Sequence, residues 1–190
     1  MTGPIRPTGH WWHGYAVSCV TSAIDIAASR TAIRFIPAHE ILARNSAPLA
    51  IPLGGGRLIP DQIFALDYGG RYRVFALEVD RGTEPARSAS VRKSWARSIA
   101  TYRQVFERGL HKSHYGLKSN LLALWVFYSP AKETRFLELV QQQGGPLGDA
   151  VLTQSVASPA GTTADFLAHV EMYEDAWNRP DGRIVRIASG

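Results

Sequence analysis

The chain has 190 residues and a formal net charge of +5; hydrophobic residues make up 45% of it and charged residues 19%. This composition suits one soluble domain with a real core, and no apolar run is long enough to span a membrane. The single cysteine, Cys19, excludes an internal disulfide and favours a cytoplasmic protein. We expect a single domain over residues 1–190, with residues 1–10 as an N-terminal arm.

The first half of the chain predicts one long helix followed by a hairpin. Its expected elements are a helix at 12–30, a strand at 31–37, a helical turn at 38–44, a glycine-rich loop at 45–57 and strands at 58–66 and 71–80. Helical spacing places Val17 and Ile24 on one face, with His13 on the same inward face. Residues 67–70, Asp-Tyr-Gly-Gly, are typical of a turn because glycine tolerates positive φ.

The second half alternates helices with strands. We expect helices at 88–108, 130–143 and 163–177, strands at 120–128, 151–157 and 183–187, and a polar basic loop at 111–119. Residues 120–128 are almost entirely apolar, which is typical of a strand covered on both faces. The sequence therefore predicts an α/β fold with a mixed central sheet and helices on both of its faces.

Three acidic residues on the hairpin are the strongest candidates for a functional site. Side chains alternate across a strand, so Glu78 and Asp80 share a face, and Asp61 can lie beside them on the partner strand. Carboxylates on neighbouring strands favour a hard divalent cation, either Mg²⁺ or Mn²⁺. Three interpretations stay open: a catalytically active metal site, a metal site without catalytic activity, and structural acids paired with Arg71, Arg73 or Arg81.

These residues carry a resemblance to a known group of proteins. Pro60-Asp61 followed by Glu78-Val79-Asp80 resembles the motif of the PD-(D/E)XK restriction-endonuclease-like superfamily. The sequence EVDRGTEP at 78–85, the helix starting at His13 and Trp177-Asn178-Arg179 are similar to the replication-relaxation family of mobile-element proteins. The resemblance implies an αβββαβ core.

The resemblance also implies roles for individual residues. Asp61 and Glu78 would hold the metal, and Asp80 stands where the nucleases carry a lysine. Asp80 would then be a third ligand or would position the attacking water. Some relatives carry the lysine on the following helix, but that position is Ser98 here. The remaining candidates for the catalytic cation are Arg81, Arg87 and Arg97, none of which has the position of the motif's lysine.

Other residues are candidates for the edge of this site or for contact with nucleic acid. His13, Ser98 and Tyr102 lie on helix faces that point toward the hairpin, although a core histidine and a packed tyrosine are the alternatives. A basic patch could hold DNA phosphates, or it could be a solvated loop. Its members are Arg108, His111, Lys112, His114 and Lys118.

Two functional hypotheses follow. The first is a cytoplasmic protein of plasmid or phage DNA replication or processing that hydrolyses phosphodiesters at a metal site. The second is a catalytically inactive DNA- or protein-binding module of a replication or transfer complex, which the missing lysine favours. Longer members of the family carry a winged-helix domain ahead of this one. If that domain recognises DNA, we expect this protein either to lack that function or to borrow it from a protein partner.

Overall fold

The computed structural model describes residues 9–80, 86, 94–156 and 171–189, with side chains from Trp11 onward. The first half contains α1 (Gly9–Ser29), β1 (Arg34–Ile36), α2 (Ala38–Arg44), β2 (Ile51–Leu53), β3 (Gly56–Leu58), β4 (Gln62–Asp67) and β5 (Tyr72–Asp80). The second half contains α3 (Trp95–Glu107), α4 (Leu110–Tyr115), β6 (Leu121–Phe127), α5 (Pro130–Gln143), β7 (Val151–Ser155), β8 (Trp177–Asn178) and β9 (Ile184–Val185). None of the described helices is long and apolar enough to cross a bilayer.

The described strands form a seven-stranded mixed sheet in the order β1-β4-β5-β6-β7-β8-β9, beside a separate β2–β3 hairpin. β4 and β5 pair antiparallel, and their turn is closed because the amide of Gly70 donates to Oδ1 of Asp67 at 2.6 Å. Gly69 and Gly70 both have positive φ, at 73° and 93°. β6 then pairs parallel with β5, and β7 parallel with β6, so that α3 and α5 belong to crossover connections.

Two hydrophobic layers enclose the sheet. One face packs against α1, and the other packs against α2, α3, α4 and α5. On β5, Leu77 and Val79 point toward α1, whereas Ala76 belongs to the cluster on the α3 side. Strand alternation therefore places Glu78 and Asp80 on the α3 face. β6 is buried along nearly its whole length because both of its faces are covered.

Several predictions are confirmed. The mixed α/β architecture, the helix at 130–143, the buried strand at 120–128 and the Asp67–Gly70 turn all match the structure. The order α1, β1, β4, β5, α3, β6 resembles the implied αβββαβ core only when α2, α4 and the β2–β3 hairpin are left out, so that core stays a prediction. Membership of the restriction-endonuclease-like superfamily stays a prediction.

Other element predictions were wrong. The expected loop at 45–57 contains β2 and most of β3, whose three-residue strands are too short and glycine-rich to give a periodic pattern. The expected strand at 58–66 is split, because Leu58 ends β3 and β4 begins only at Gln62. The basic loop at 111–119 is largely helix α4, only six residues long.

The C-terminal prediction also needs correction. Trp177 was expected to end a helix but lies in β8, where Asn178 pairs with Thr153 of β7. The Trp177 indole N–H donates to the carbonyl of Met172 at 3.0 Å, which holds the buried ring in place. Residues 163–170 of the predicted helix lie outside the described residues, as do residues 1–8 of the predicted arm.

Candidate functional site

Asp61 lies at the end of the ladder between β4 and β5. The last paired residues of that ladder are Gln62 and Leu77. Beyond them, the amide of Val79 donates to Oδ2 of Asp61 at 2.8 Å, so a side-chain oxygen replaces the backbone acceptor of a continued strand. The other oxygen, Oδ1, lies 2.9 Å from Nε2 of His13 on α1. Asp61 thus joins the end of the sheet to the helix on the opposite face from α3.

Glu78 faces α3 and is 3% exposed. The hydroxyl of Tyr102 donates to its Oε1 at 2.8 Å. Burial raises the pKa of the Tyr102 phenol well above its ordinary value, and the negative charge of Glu78 raises it further. The phenol therefore keeps its proton and acts as a donor to the carboxylate. Carboxylates that accept such a bond lose less free energy on burial than unpaired ones.

Asp80, two residues further along β5, makes a similar hydrogen-bonded contact with α3. The indole Nε1–H of Trp95 donates to its Oδ2 at 2.8 Å, and both residues are buried. Glu78 thus meets Tyr102, and the later strand residue Asp80 meets the earlier helix residue Trp95. α3 consequently runs antiparallel to β5, as a connection between the parallel strands β5 and β6 requires.

A cavity of about 240 Å³ opens beside Glu78 between α3 and the β2–β3 hairpin. Its lining includes three residues that the sequence placed at the site: Glu78, Ser98 and Tyr102. Arg97, which the sequence offered as a candidate for the catalytic cation, also lines the cavity, whereas sequence reasoning missed the other polar lining residues, Arg57 and Thr101. Arg87, another of these cation candidates, lies outside the described residues. Arg57 gave no signal, because its position depends on a hairpin that the sequence did not reveal.

The structure does not gather all the predicted residues around this cavity. Asp61, His13 and Asp80 are not among its lining residues, and Arg81 lies outside the described residues. Asp61 and Tyr102 are nevertheless close enough for the Asp61 charge to raise the pKa of the phenol, after burial and Glu78. Asp61 and Glu78 therefore belong to one end of the sheet, and Asp80 is turned toward Trp95.

The carboxylates provide a limited set of donors for a metal ion. Oxygen donors of Asp61 and Glu78 are the type that Mg²⁺ and Mn²⁺ prefer. Asp61 already accepts a bond through each oxygen, and Glu78 through Oε1. Within the described ranges, no group of three or more His, Cys, Asp or Glu side chains is placed to hold a metal ion. These ranges offer a two-carboxylate site at most, and the metal stays a prediction.

Only some residues of the predicted basic patch lie on the protein surface. Arg108, Lys112 and Lys118 are exposed, and His114 is half-buried with Nε2 2.8 Å from the carbonyl of Pro48. His111 is different, since it is 2% exposed and stacks on Phe106 with ring centres 4.8 Å apart. Burial lowers its pKa. Including His111 in a surface patch was therefore wrong: it is a core residue beneath the other members.

Comparison with known protein families gives a match over most of the first two thirds of the chain. A family model described as replication-relaxation matches residues 4–121, which is more than half of the chain. The match runs from the N-terminal segment through α1, the hairpin and α3 to the first residue of β6. No curated protein and no solved structure matches the chain.

Proposed function

Since the chain belongs to the replication-relaxation family, we propose that it is a DNA-binding module in the replication or transfer of mobile-element DNA, and that it does not cut its substrate. One observation carries this proposal. Asp80 stands at the position where the resembling nucleases carry a lysine, and it is buried with its Oδ2 bonded to Trp95. The side chain at this position serves the packing of α3.

An aspartate in place of a lysine at position 80 changes the charge that the site presents to a phosphate. A lysine ammonium beside two carboxylates would supply the positive charge that stabilises the phosphorane-like transition state and the attacking water. An aspartate adds negative charge instead, next to Glu78. A scissile phosphate is itself an anion, so the buried pair Glu78 and Asp80 repels it unless cations intervene. In the absence of a bound cation, the site is therefore poorly suited to phosphodiester cleavage.

DNA binding is supported by the net charge of the chain and by the positions of three exposed cationic side chains. The net charge is +5, and Arg108, Lys112 and Lys118 are exposed along α4 and its two flanking segments. Exposed cations of this type bind phosphates without reading sequence, and they release counterions from DNA as they do so. Sequence preference would then come from a protein partner in the same cytoplasmic complex.

The binding proposal can be tested by fluorescence anisotropy with labelled duplex and single-stranded DNA over a series of salt concentrations. The variant Arg108→Gln/Lys112→Gln/Lys118→Gln is expected to bind at least tenfold more weakly at low salt. Its slope of log affinity against log salt should fall by about 2–3, since each lost phosphate contact removes about 0.9 for duplex DNA.

A matched control variant removes the same number of positive charges at other exposed positions. Arg30, Arg135 and Arg186 are exposed just after α1, on α5 and near the C-terminus, and their triple glutamine variant should keep the wild-type salt slope. Equal losses in both triple variants would mean that only net charge matters, and would contradict a defined binding surface. Absence of DNA binding by the wild type would contradict the proposal as a whole.

A second candidate, metal-dependent hydrolysis, is favoured by the cavity beside Glu78. Asp61 and Glu78 would hold Mg²⁺ or Mn²⁺, which would polarise the phosphate and lower the pKa of a bound water. Arg57 and Arg97 place positive charge at the same cavity, where a DNA phosphate could enter. Thr101 and Ser98 add hydroxyl groups to its wall.

Cleavage assays separate the two candidates. Wild type, Glu78→Gln, Asp61→Asn and the exposed-site control Glu138→Gln are incubated with supercoiled plasmid and single-stranded DNA, with either metal. The binding-module proposal predicts no nicking by any of them. Nicking by wild type and Glu138→Gln that is lost in Glu78→Gln would overturn it and would establish the hydrolytic candidate.

A further inference from the structure

A second and larger cavity, of about 440 Å³, lies at the other end of the same sheet face. Its apolar floor comes from four buried side chains on β1, α2, β4 and β5, each at most 5% exposed: Ile36, Ile41, Ala65 and Val74. Val74 precedes Glu78 by four residues on β5, a separation of about 13 Å along the strand. The cavity is thus distinct from the candidate site at Glu78.

One wall of this cavity is fixed by bonds between α4 and the segment after α2. Asn45 donates through Nδ2 to the carbonyl of His114 at 2.7 Å, and the Tyr115 hydroxyl donates to the carbonyl of Leu49 at 2.5 Å. The left-handed Gly116 then turns the chain along the cavity edge, with Asn45 packed 3.5 Å from where its Cβ would stand. The wall is therefore preformed, as is usual for ligand cavities.

The charged groups of the cavity are all positive. Arg44 and Lys118 are exposed at its mouth, and the described lining includes no acidic side chain. The Arg44 guanidinium lies 6.0 Å from the ring centre of Tyr72, which is 44% exposed and also lines the cavity. An apolar floor thus meets a cationic and aromatic rim.

We propose that this cavity binds a small amphipathic anion, with a flat apolar or aromatic body and one carboxylate, sulfonate or phosphate group. The body would contact Ile36, Ile41 and Val74, and the anionic group would lie between Arg44 and Lys118. The volume falls within the range of about 300–1,000 Å³ that small-molecule sites occupy. An apolar protein segment without charge would leave both cations unused. The proposal does not depend on DNA binding or on a metal.

The probe is 8-anilinonaphthalene-1-sulfonate, an aromatic anion whose fluorescence rises on burial. Its neutral analogue N-phenyl-1-naphthylamine lacks the sulfonate and reports the apolar part alone. Wild type is expected to bind the sulfonate probe saturably at one site, and the neutral analogue about tenfold more weakly. Urea titrations run in parallel establish that each protein is folded, because partly folded states also bind this probe.

The deciding variant is Arg44→Gln/Lys118→Gln, which changes only exposed side chains. It should weaken binding of the sulfonate probe about tenfold and leave the neutral analogue unchanged, whereas Arg30→Gln/Arg135→Gln should alter neither. Failure of the folded wild type to bind the probe saturably, or equal affinity in both double variants, would overturn the proposal.

Discussion

The indole N–H of Trp95, the first residue of α3, donates to the Asp80 carboxylate at the last residue of β5 across 2.8 Å. The contact joins the end of one element to the beginning of the next, on either side of the segment 81–93. It fixes where α3 starts relative to the sheet. Tyr102, two helical turns later, repeats the arrangement with Glu78. Glu78 and Asp80 therefore orient the helix that covers them.

The Trp95–Asp80 bond should contribute measurably to stability. Asp80→Ala leaves the indole N–H buried without its carboxylate acceptor, and we expect the free energy of unfolding to fall by about 1–3 kcal/mol. Asp80→Asn keeps an oxygen in place and should cost less. Urea denaturation followed by tryptophan fluorescence measures both. Equal destabilisation by the two variants would show that the charge of Asp80, rather than its acceptor oxygen, is what α3 requires.

Asp61 is expected to stabilise the fold more through its hydrogen bond from the Val79 amide than through its contact with His13. Asp61→Ala removes the acceptor of the buried Val79 amide, at a predicted cost of about 1–3 kcal/mol in unfolding free energy. His13→Ala removes only a partner whose side chain is 36% exposed, and should cost less than about 1 kcal/mol. Thermal or urea unfolding decides between them. A larger loss in His13→Ala would contradict the ladder-end role of Asp61.

The sequence was sufficient for features that depend on local patterning. The turn at 67–70, the alternation along β5 and the helical stripe that contains Trp95, Ile99 and Tyr102 could all be predicted, because each follows from periodicity or glycine conformation. The shared face of Glu78 and Asp80 followed from the same alternation. The residues that these two carboxylates contact could not be predicted from this alternation. Their partners lie on α3, and the position of that helix on the sheet depends on tertiary packing.

The features that the sequence missed depend on contacts between distant segments. Arg57 borders the cavity at Glu78 only because the β2–β3 hairpin folds against α3. His111 stands in a stretch of basic residues, yet α4 turns it inward onto Phe106 and the carbonyl of Val105. A pattern of charges along the chain could not distinguish this buried imidazole from its exposed neighbours Lys112 and Arg108.

His111 should make stability sensitive to mild acid. Burial lowers its pKa below the ordinary value of 6.5, the hydrogen bond to Val105 opposes this shift, and the charge of Lys112 adds to it. The folded protein therefore disfavours protonation of His111 relative to the unfolded chain. The contribution of His111 to the free energy of unfolding is fully present above pH 6.5 and is lost as the pH falls below that value. Urea unfolding between pH 7.5 and 5.5 should show a decline that His111→Phe reduces and the exposed-site variant His39→Gln does not. An unchanged decline in His111→Phe would assign the acid sensitivity to other groups.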